Sequence, residues 1–360
     1  MSTTPTKSHL WPGVPLALGS AVLFGASAPL SKLLLGAVNP WMLAGILYLG
    51  AGVGLSFFHV LRRAVGLPIV EAPLARQDLP WLAAVVLFGG VIGPLLLMFG
   101  LSLTSASTGS LLLNLEGLAT MAIAWLVFRE NVDRRLLLGA LAILSGAVLL
   151  TWSGQSVRFD AGAVLIAGAC LAWGIDNNLT RKLSSADPVQ IAMIKGLVAG
   201  AVNLGLALAT GAIVPSAGFL LAGGVVGFFG IGVSLVMFML GLRHLGTART
   251  GAYFSLAPFI GAALALVLLG EPATPSLLGA AALMAFGLWM HLTERHDHDH
   301  AHDVLEHAHR HVHDEHHQHQ HDGPVTEPHS HWHRHEPLRQ RDTHRRGRNA
   351  PALARPRLAG

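Results

Sequence analysis

LVFRENVDRRLLLGALAILSGAVLLTW (Leu126–Trp152) and LVLLGEPATPSLLGAAALMAFGLWM (Leu266–Met290) share one pattern: an apolar run, a short turn containing a Glu, and a second apolar run. A second matching pair lies upstream, FGASAPLSKLL (Phe24–Leu34) and WGIDNNLTRKL (Trp173–Leu183). The offset of about 140 to 150 residues is far longer than the ~20–50 residues of a solenoid repeat. Duplicated apolar helical units are typical of secondary transporters, whose sites lie between the repeats.

The composition indicates a bilayer protein. Of the 360 residues, 52% are hydrophobic and 12% are charged, whereas a soluble domain carries ~25% charged residues. The 41 Gly suit close helix packing in lipid. The net charge of +4 comes without a basic–aromatic module, so we expect no nucleic-acid partner. The single cysteine, Cys170, excludes an intrachain disulfide, and we expect it to pack as a small apolar residue.

Ten stretches are long enough to cross the hydrocarbon core, which takes about 20 apolar residues. The sequence therefore predicts an all-α integral membrane protein with ten transmembrane helices. The predicted spans are 12–35, 40–61, 79–101, 104–128, 135–152, 161–180, 188–210, 217–241, 247–269 and 274–292.

Lys and Arg are concentrated in alternate loops. If the N-terminus is cytoplasmic, inner segments hold many basic residues, among them Arg62, Arg63 and Arg129, and outer loops hold Arg158 alone. The positive-inside rule then places both termini in the cytoplasm, in a bacterial-type inner (plasma) membrane. We see no cleaved signal peptide.

Ten spans divide into two sets of five. An odd number of spans per repeat forces the halves into opposite orientations, so we predict two inverted five-helix repeats with a site near the midplane. The predicted organisation is a short cytoplasmic N-terminus (1–11), a first repeat (12–152), a second repeat (153–293) and a His-rich, disordered cytoplasmic tail (294–360).

The layout resembles the EamA-type transporters of the drug/metabolite transporter superfamily. The resemblance rests on the two five-helix halves, on an aromatic–Gly pair in the first helix of each half (Phe24-Gly25 and Trp173-Gly174), and on a Glu after each fourth helix (Glu130 and Glu271). It covers about residues 12–292 and implies a ten-helix secondary transporter that exports small metabolites, often driven by an ion gradient.

Two positions depart from that family's pattern. Members often have Pro in the middle of each fourth helix; the second half has Pro258, but the first half reads Asn114-Leu115-Glu116-Gly117. Members also often carry Arg early in the second helix, where the second half here has Lys195. Both positions fall where the family builds its cavity.

Glu116 is the strongest candidate for a site residue. It lies ~11 residues from either end of its predicted span, and so ~16 Å deep at 1.5 Å per residue. Ionisable groups at such depth are costly and usually line a cavity. We interpret Glu116 as a substrate or coupling-ion site; the alternative is a protonated Glu hydrogen-bonded between helices. Asn114 is the polar residue beside it.

Further polar and aromatic residues within the spans are candidates for the pathway. Asp176 shares a helix face with Thr180 and would pair with Lys195 or Arg181. Lys195 would attract an anionic group, pair with Glu116, or extend to the interface. The other candidate pathway residues are Asn177, Asn178, Trp173 and Tyr253; for the two aromatics, packing is the alternative. Lys32 is expected to extend to the interface, and Glu130 and Glu271 to compensate the N-termini of the helices that follow them.

The tail after Leu292 holds 17 of the 21 His. Imidazole binds Zn, Ni, Co and Cu, and His-rich tracts are typical of metal binding. Because the spacing is repetitive, no fixed site follows, and the composition cannot build a core. A solvated tail or pH-sensitive tether is the alternative. The candidate metal ligands are His296, His298, His300, His302, His307, His309, His311, His313, His316, His317, His319 and His321.

Three functions remain open from the sequence. The first is a secondary transporter that exports small metabolites by alternating access, with Glu116 as its coupling or substrate site and no required cofactor. The second is efflux of a divalent transition metal that the His tail captures. The third is a membrane metal buffer or sensor that transports nothing. The sequence has no nucleophile elbow, phosphate loop or HExxH motif, so we expect no enzyme. A homodimer is left open, as are the substrate and the coupling ion.

Overall fold

The computed structural model describes the membrane part of the chain almost throughout. The described residues are 12–65, 74, 76–129, 133–151, 160–183, 187–245, 247–292, 297–301, 306–311, 329–334 and 339–343. The N-terminal segment 1–11 and Glu130 lie outside them.

Fourteen α-helices form ten candidate membrane spans in the described part of the chain, which confirms the prediction from hydropathy. Each span end lies within about one helical turn of its predicted position. Spans 3, 4, 8 and 9 each consist of two helices, α3–α4, α5–α6, α10–α11 and α12–α13. The bounds are α1 Gly13–Leu35, α2 Pro40–Ala64, α3 Leu79–Val85, α4 Gly93–Leu103, α5 Ala106–Leu112, α6 Leu115–Phe128, α7 Arg134–Thr151, α8 Ala161–Thr180, α9 Pro188–Ala209, α10 Ala217–Gly227, α11 Ser234–Leu245, α12 Thr247–Phe254, α13 Ala257–Leu268 and α14 Pro275–Leu292.

The irregular segments of the two halves match in position. Span 3 contains a π-helical segment at Val86–Ile92, and span 8 contains one at Phe228–Val233, so residue 228 stands 142 positions after residue 86. Span 4 breaks between α5 and α6 at residues 113 and 114, and span 9 breaks between α12 and α13 at residues 255 and 256, again 142 positions later. The repeat thus extends from the sequence to the details of the backbone.

The first helix of each half packs on the opposite half. Helix α1 contacts α11 and α13 of the second half, and α8 contacts the equivalent α4 and α6 of the first half. Such matching contacts are expected when two inverted repeats are related by a two-fold axis. Helices α1 and α8 therefore join the two repeats, each against a broken span of the other half.

The second helices of the two halves, α2 and α9, form the most extensive contact in the bundle. Gly52 and Gly196 bring the two backbones together: a Cβ on Gly196 would lie 2.6 Å from the nitrogen of Gly52 and 2.8 Å from the carbonyl oxygen of Tyr48. Small residues allow this approach, and tight packing is a main source of helix association in lipid.

Spans 4 and 9 pack together at one end, where α5 contacts α13. Beside this contact, the carboxylate of Glu271 accepts hydrogen bonds from the backbone nitrogens of Ala106 (2.7 Å) and Ser107 (2.8 Å). Glu271 therefore compensates the N-terminus of α5 in the other half, whereas the sequence suggested the helix that follows it. Lys32 donates to the carbonyl oxygens of Leu101 (2.5 Å) and Thr104 (2.8 Å), next to the same loop. At this end, charged side chains bind the exposed backbone groups of helix termini.

Residues 294–360 form a unit of their own. Within it, strand β1 (Asp297–Ala301) pairs antiparallel with β4 (Arg339–Thr343), and β2 (Glu306–His311) with β3 (His329–Arg334). Their His residues alternate with other residues, a period-2 pattern that suits strands, and backbone pairing requires no apolar core. For the rest of the tail, the expectation of disorder falls on residues outside the described ranges.

Candidate functional site

A cavity of ≈180 Å³ lies between the two halves. It is bordered by residues of α1, α6, α7, α12, α13 and α14, and it extends to the last turn of α14 at His291. Asn114 and Ser255, which stand at the breaks of spans 4 and 9, line its wall. The broken spans thus place irregular backbone at a cavity, which is where such backbone is tolerated within a membrane.

Glu116 lies on the wall of this cavity, at the second residue of α6. It is half-buried, and its Oε1 accepts a hydrogen bond from Asn177 Nδ2 of α8 at 3.0 Å. The same amide donates to Thr120 Oγ1 at 3.2 Å, and Thr120 donates to the carbonyl oxygen of Glu116 at 2.9 Å. Among the lining residues of the described chain, Glu116 is the one carboxylic acid.

Asn114 stabilises the break itself. Its Nδ2 donates to the carbonyl oxygen of Leu111 at 2.8 Å, a carbonyl near the end of α5. The side chain is buried, and its nitrogen lies 3.8 Å from Met284 Sδ of α14. Asn114 therefore holds the bend that positions Glu116.

The remaining α8 candidates have separate partners. Asn178 Nδ2 donates to the carbonyl oxygens of Gly174 (2.8 Å) and Thr120 (3.1 Å), so it ties α8 to α6. Trp173 Nε1 donates to the carbonyl oxygen of Gly89 at 3.1 Å, away from the cavity wall. Tyr253 is also absent from the wall, whereas the next residue, Phe254, lines it. Tyr253 and Phe254 are adjacent in α12, so their side chains point about 100° apart around the helix.

Asp176 forms an ion pair with Lys195 of α9, one of the two partners that the sequence left open. Thr180 Oγ1 donates to the second carboxylate oxygen at 3.3 Å. The pair lies against Gly89 in the π-helical segment of span 3, where a side chain would collide with both charged groups. The Gly89 carbonyl accepts from Tyr48 OH of α2 at 2.7 Å as well as from Trp173. A π-helical segment loosens the regular backbone pairing, and these donors satisfy its carbonyl.

One wall of the cavity is aromatic. The rings of Phe24 and Phe254 lie 5.3 Å apart between centroids, and Phe254 is 4.8 Å from Phe238 behind it. Aromatic rings offer an apolar surface and attract cations at their faces. The cavity therefore combines a carboxylate with an apolar wall.

His291 closes the wall at the last turn of α14. Its Nε2 lies 2.9 Å from the carbonyl oxygen of Leu136 in α7, so this nitrogen is the donor. The hydrogen bond fixes the ring between the fifth helices of the two halves.

Metal ligands are not assembled in the described part of the membrane unit: no three of its His, Cys, Asp and Glu side chains come together as a set that could hold an ion. Of the candidate tail ligands, His298 and His300 lie in β1, and His307, His309 and His311 lie in β2. The others lie outside the described residues: His296, His302, His313, His316, His317, His319 and His321.

A sequence profile of the EamA-like transporter family matches this chain twice, over residues 11–152 and 160–293. The chain belongs to the EamA-like transporter family. The two matches fall on the two five-span halves, and the ten apolar spans make this family member an integral membrane protein.

Relatives of this EamA-like transporter are described in similar terms. A protein of Methanothermobacter thermautotrophicus, described as an uncharacterised transporter, is 32% identical over 279 residues, 73% of this chain and 81% of its own. A probable amino-acid metabolite efflux pump of Salmonella typhimurium is 27% identical over 299 residues (77% and 93%). A probable terminal-alkyne amino-acid exporter of Streptantibioticus cattleyicolor is 26% identical over 257 residues (67% and 84%).

A solved crystal structure has the same fold. It is 20% identical to this chain, covers 78% of it and 95% of its own length, and superposes with a TM-score of 0.56.

Sequence reasoning did not find several residues of the cavity wall, among them Phe24, Phe254, Ser255 and His291. Phe24 precedes the Gly25 that the sequence comparison singled out, and Gly25 lies against the backbone of Ala257 at the second break. An aromatic residue beside such a contact glycine was the available signal.

Proposed function

We propose that this protein exports a small amino acid or related amine from the cytoplasm, and that the carboxylate of Glu116 binds the substrate's ammonium group. The observation that carries the proposal is the placement of Glu116 as the charged group on a cavity between two inverted repeats. Transporter sites typically lie in this place, next to broken helices.

The cavity's chemistry supports this substrate class. A carboxylate and an ammonium group form strong charge-assisted hydrogen bonds. The rings of Phe24 and Phe254 provide an apolar surface for the rest of the molecule. The volume of ≈180 Å³ is below the ~300 Å³ at which pockets for drug-sized ligands begin. A small amino acid with an apolar side chain fits these three conditions.

The names of two relatives support export of such compounds. One is called a probable amino-acid metabolite efflux pump and the other a probable terminal-alkyne amino-acid exporter. Both names describe molecules with an ammonium group, which is the group that Glu116 would recognise.

The arrangement of spans 4 and 9 supports alternating access. Helices α5 and α13 are packed together at one end, while α6 and α12 line the same cavity at the other. With the orientation expected from the positive-inside rule, the cavity lies toward the cytoplasm. This conformation would load substrate from inside, and a rocking of the two halves would release it outside.

The test is exchange of a labelled amino acid in proteoliposomes that contain the full chain. Liposomes preloaded with unlabelled leucine take up tritiated leucine if the protein carries it, and a panel of other amino acids and amines would extend the test. We expect Glu116→Gln to abolish exchange, because the amide has no charge for the ammonium group. The control is Asp160→Asn, a carboxylate before the start of α8 that accepts from the backbone nitrogen of Gly162.

Exchange that persists in Glu116→Gln would refute the role of Glu116. Absence of exchange across the whole panel, with protein that elutes as a single species, would refute the substrate class.

A further inference from the structure

The ion pair between Asp176 and Lys195 is a further charged feature of the membrane interior. The side chains are 7% and 19% exposed, so both charges lie within the packed bundle. Placing charges in a bilayer is costly, and residues that do so are usually functional. A buried ion pair is also weak evidence for a stabilising role, because apolar residues of similar volume often pack as well.

The first half of this protein makes a comparable contact without charges. Ser27 in α1 and Asp176 in α8 each follow the contact glycine by two residues (Gly25 and Gly174). A Cβ on Gly230 of span 8 would lie 2.8 Å from Ser27 Cβ. Gly230 stands 141 positions after Gly89, one position short of the 142-residue offset between spans 3 and 8. Ser27 donates to the carbonyl oxygen of Phe24 in its own helix at 2.6 Å.

The position of Lys195 is likewise apolar in the first half. Lys195 is the eighth residue of α9, and Leu47 is the eighth residue of α2. Leu47 is buried against the core, so this part of the fold packs with an apolar residue in place of an ammonium group. The corresponding part of the first half thus packs without an ion pair, which makes packing alone a weak explanation for the charges in the second half.

The pair is connected to the cavity through one helix. Asn177, which donates to Glu116, is the residue next to Asp176 in α8. A shift of this turn of α8 would therefore move both Asp176 and the side chain that binds Glu116. Two other titratable groups of the described residues interact with the pair: Tyr48 of α2 and Glu116 of α6.

Building on the proposed function, we propose that Asp176 is the carboxylate that exchanges the coupling proton, with Lys195 as its counter-ion, while Glu116 binds the substrate. In the inward-facing conformation, Asp176 has given its proton to cytoplasmic water and forms the ion pair. In the outward-facing conformation, it takes one proton from outside water, and the ammonium group of Lys195 loses its partner. One proton then enters for each substrate molecule that leaves.

This cycle gives the ion pair a direct effect on conformation. Protonation of Asp176 leaves Lys195 as an unpaired charge in the outward-facing conformation, which disfavours that conformation. The protein then returns to the inward-facing conformation, where Asp176 releases the proton and the ion pair forms again. Coupling between an ion and a substrate requires such a group, one whose charge state favours one of two conformations.

The experiment compares two assays on the full chain in proteoliposomes, with tritiated leucine as the probe. Exchange of leucine involves no net proton movement, whereas uphill transport driven by an imposed pH gradient does. For the double variant Asp176→Asn/Lys195→Met, which removes both charges together, we expect exchange to continue and the pH-driven component to be lost. Glu116→Gln should lose both, which separates a failure of this inference from a failure of the proposed substrate site.

Two results would overturn the inference. Full pH-driven transport by the neutral double variant would make the pair a packing element, and loss of exchange together with pH-driven transport would make it part of substrate binding or of the fold. If the double variant does not yield a single species, Asp176→Glu decides instead. Its longer carboxylate should keep pH-driven transport but shift its dependence on external pH, and an unchanged profile would exclude Asp176 as the proton site.

Discussion

Glu116 and Pro258 occupy the same position in the two halves of the molecule. Each is the second residue of the helix that resumes after the break in its span, α6 in the first half and α13 in the second, and they stand 142 positions apart. Proline fits the first turn of a helix because the amide there has no intrahelical partner. The first half thus carries a carboxylate at a backbone position that its counterpart fills with a proline.

The first prediction follows from this equivalence. We expect Glu116→Pro to lower the free energy of unfolding by ~1 kcal/mol. It removes a single backbone hydrogen bond, from the nitrogen of Glu116 to the carbonyl oxygen of Leu113 at 3.1 Å. Transport should be lost with the carboxylate. The matched control is Ala122→Pro in the middle of α6, which should cost ~3 kcal/mol or more. Thermal unfolding in detergent measures both; equal losses of stability would contradict the prediction.

The second prediction concerns the close approach at Gly89. A methyl group there would collide with Asp176 and Lys195, so we expect Gly89→Ala to destabilise the protein by ~1–3 kcal/mol, the usual cost of overpacking. Gly205→Ala in α9 is the control, because its added Cβ would have nothing within 4 Å. Alanine in a helix is favoured over glycine, so this control should gain up to ~1 kcal/mol. A Gly89→Ala protein as stable as the wild type would mean that the ion pair can move aside freely.

The third prediction concerns Glu271, which binds α5 of the other half. Glu271→Ala removes two hydrogen bonds to a charged group, each worth ~1.5–3 kcal/mol, from the end where spans 4 and 9 are packed. We expect the two halves to separate more often at this end. The measurement uses Ser107→Cys in a Cys170→Ala background. The introduced thiol should react faster with a maleimide added on the side of the membrane where α5 begins.

The control for Glu271 is Asp187→Ala. Asp187 accepts from the backbone nitrogen of Val189 and so caps its own helix, α9, within one half. This variant should lose ~1 kcal/mol of stability, and the thiol introduced by Ser107→Cys should react no faster than it does without the Asp187 change. If both variants label at the same rate, the Glu271 contact has no part in holding this end together.

The fourth prediction separates the tail from transport. Residues up to Thr293 form a compact unit by themselves, so a chain that ends at position 293 should unfold at the same temperature and exchange amino acids normally. It should lose binding of Zn²⁺ or Ni²⁺, measured by equilibrium dialysis, because 17 of the 21 His are removed. Loss of metal tolerance in cells with amino-acid exchange intact would add a metal role to the tail. Loss of transport itself would favour the metal-efflux hypothesis over the one proposed here.

Span positions were predictable because apolar length alone determines which segments cross a membrane. The rotation of each helix about its axis was not, since faces toward lipid and faces toward neighbouring helices are both apolar. The sequence therefore did not indicate that Phe254, next to the candidate Tyr253, lines the cavity. Contacts between distant segments, such as Glu271 with Ala106, leave no local signal at all.

The sequence could predict which polar residues are candidates for the site, but not which of them contact each other. Asp176, Lys195 and Glu116 stand out because charges are rare inside spans. Which of them meet depends on the π-helical segment at Val86–Ile92, whose glycine lets Asp176 and Lys195 approach. A run of glycines in the sequence is compatible with plain close packing as well as with a π-helix.

The irregular segments that match between the two halves also bear on how the fold arose. A π-helical segment in spans 3 and 8 and a break in spans 4 and 9, each at the same position in both halves, are most simply inherited from a single five-helix ancestor that already had them. The counterparts of Glu116, Asp176 and Lys195 are Pro258, Ser27 and Leu47, so at each of these positions the charge is present in one copy alone. The two copies thus share one backbone frame and differ in the charges that they carry, Glu116 in the first copy and Asp176 with Lys195 in the second.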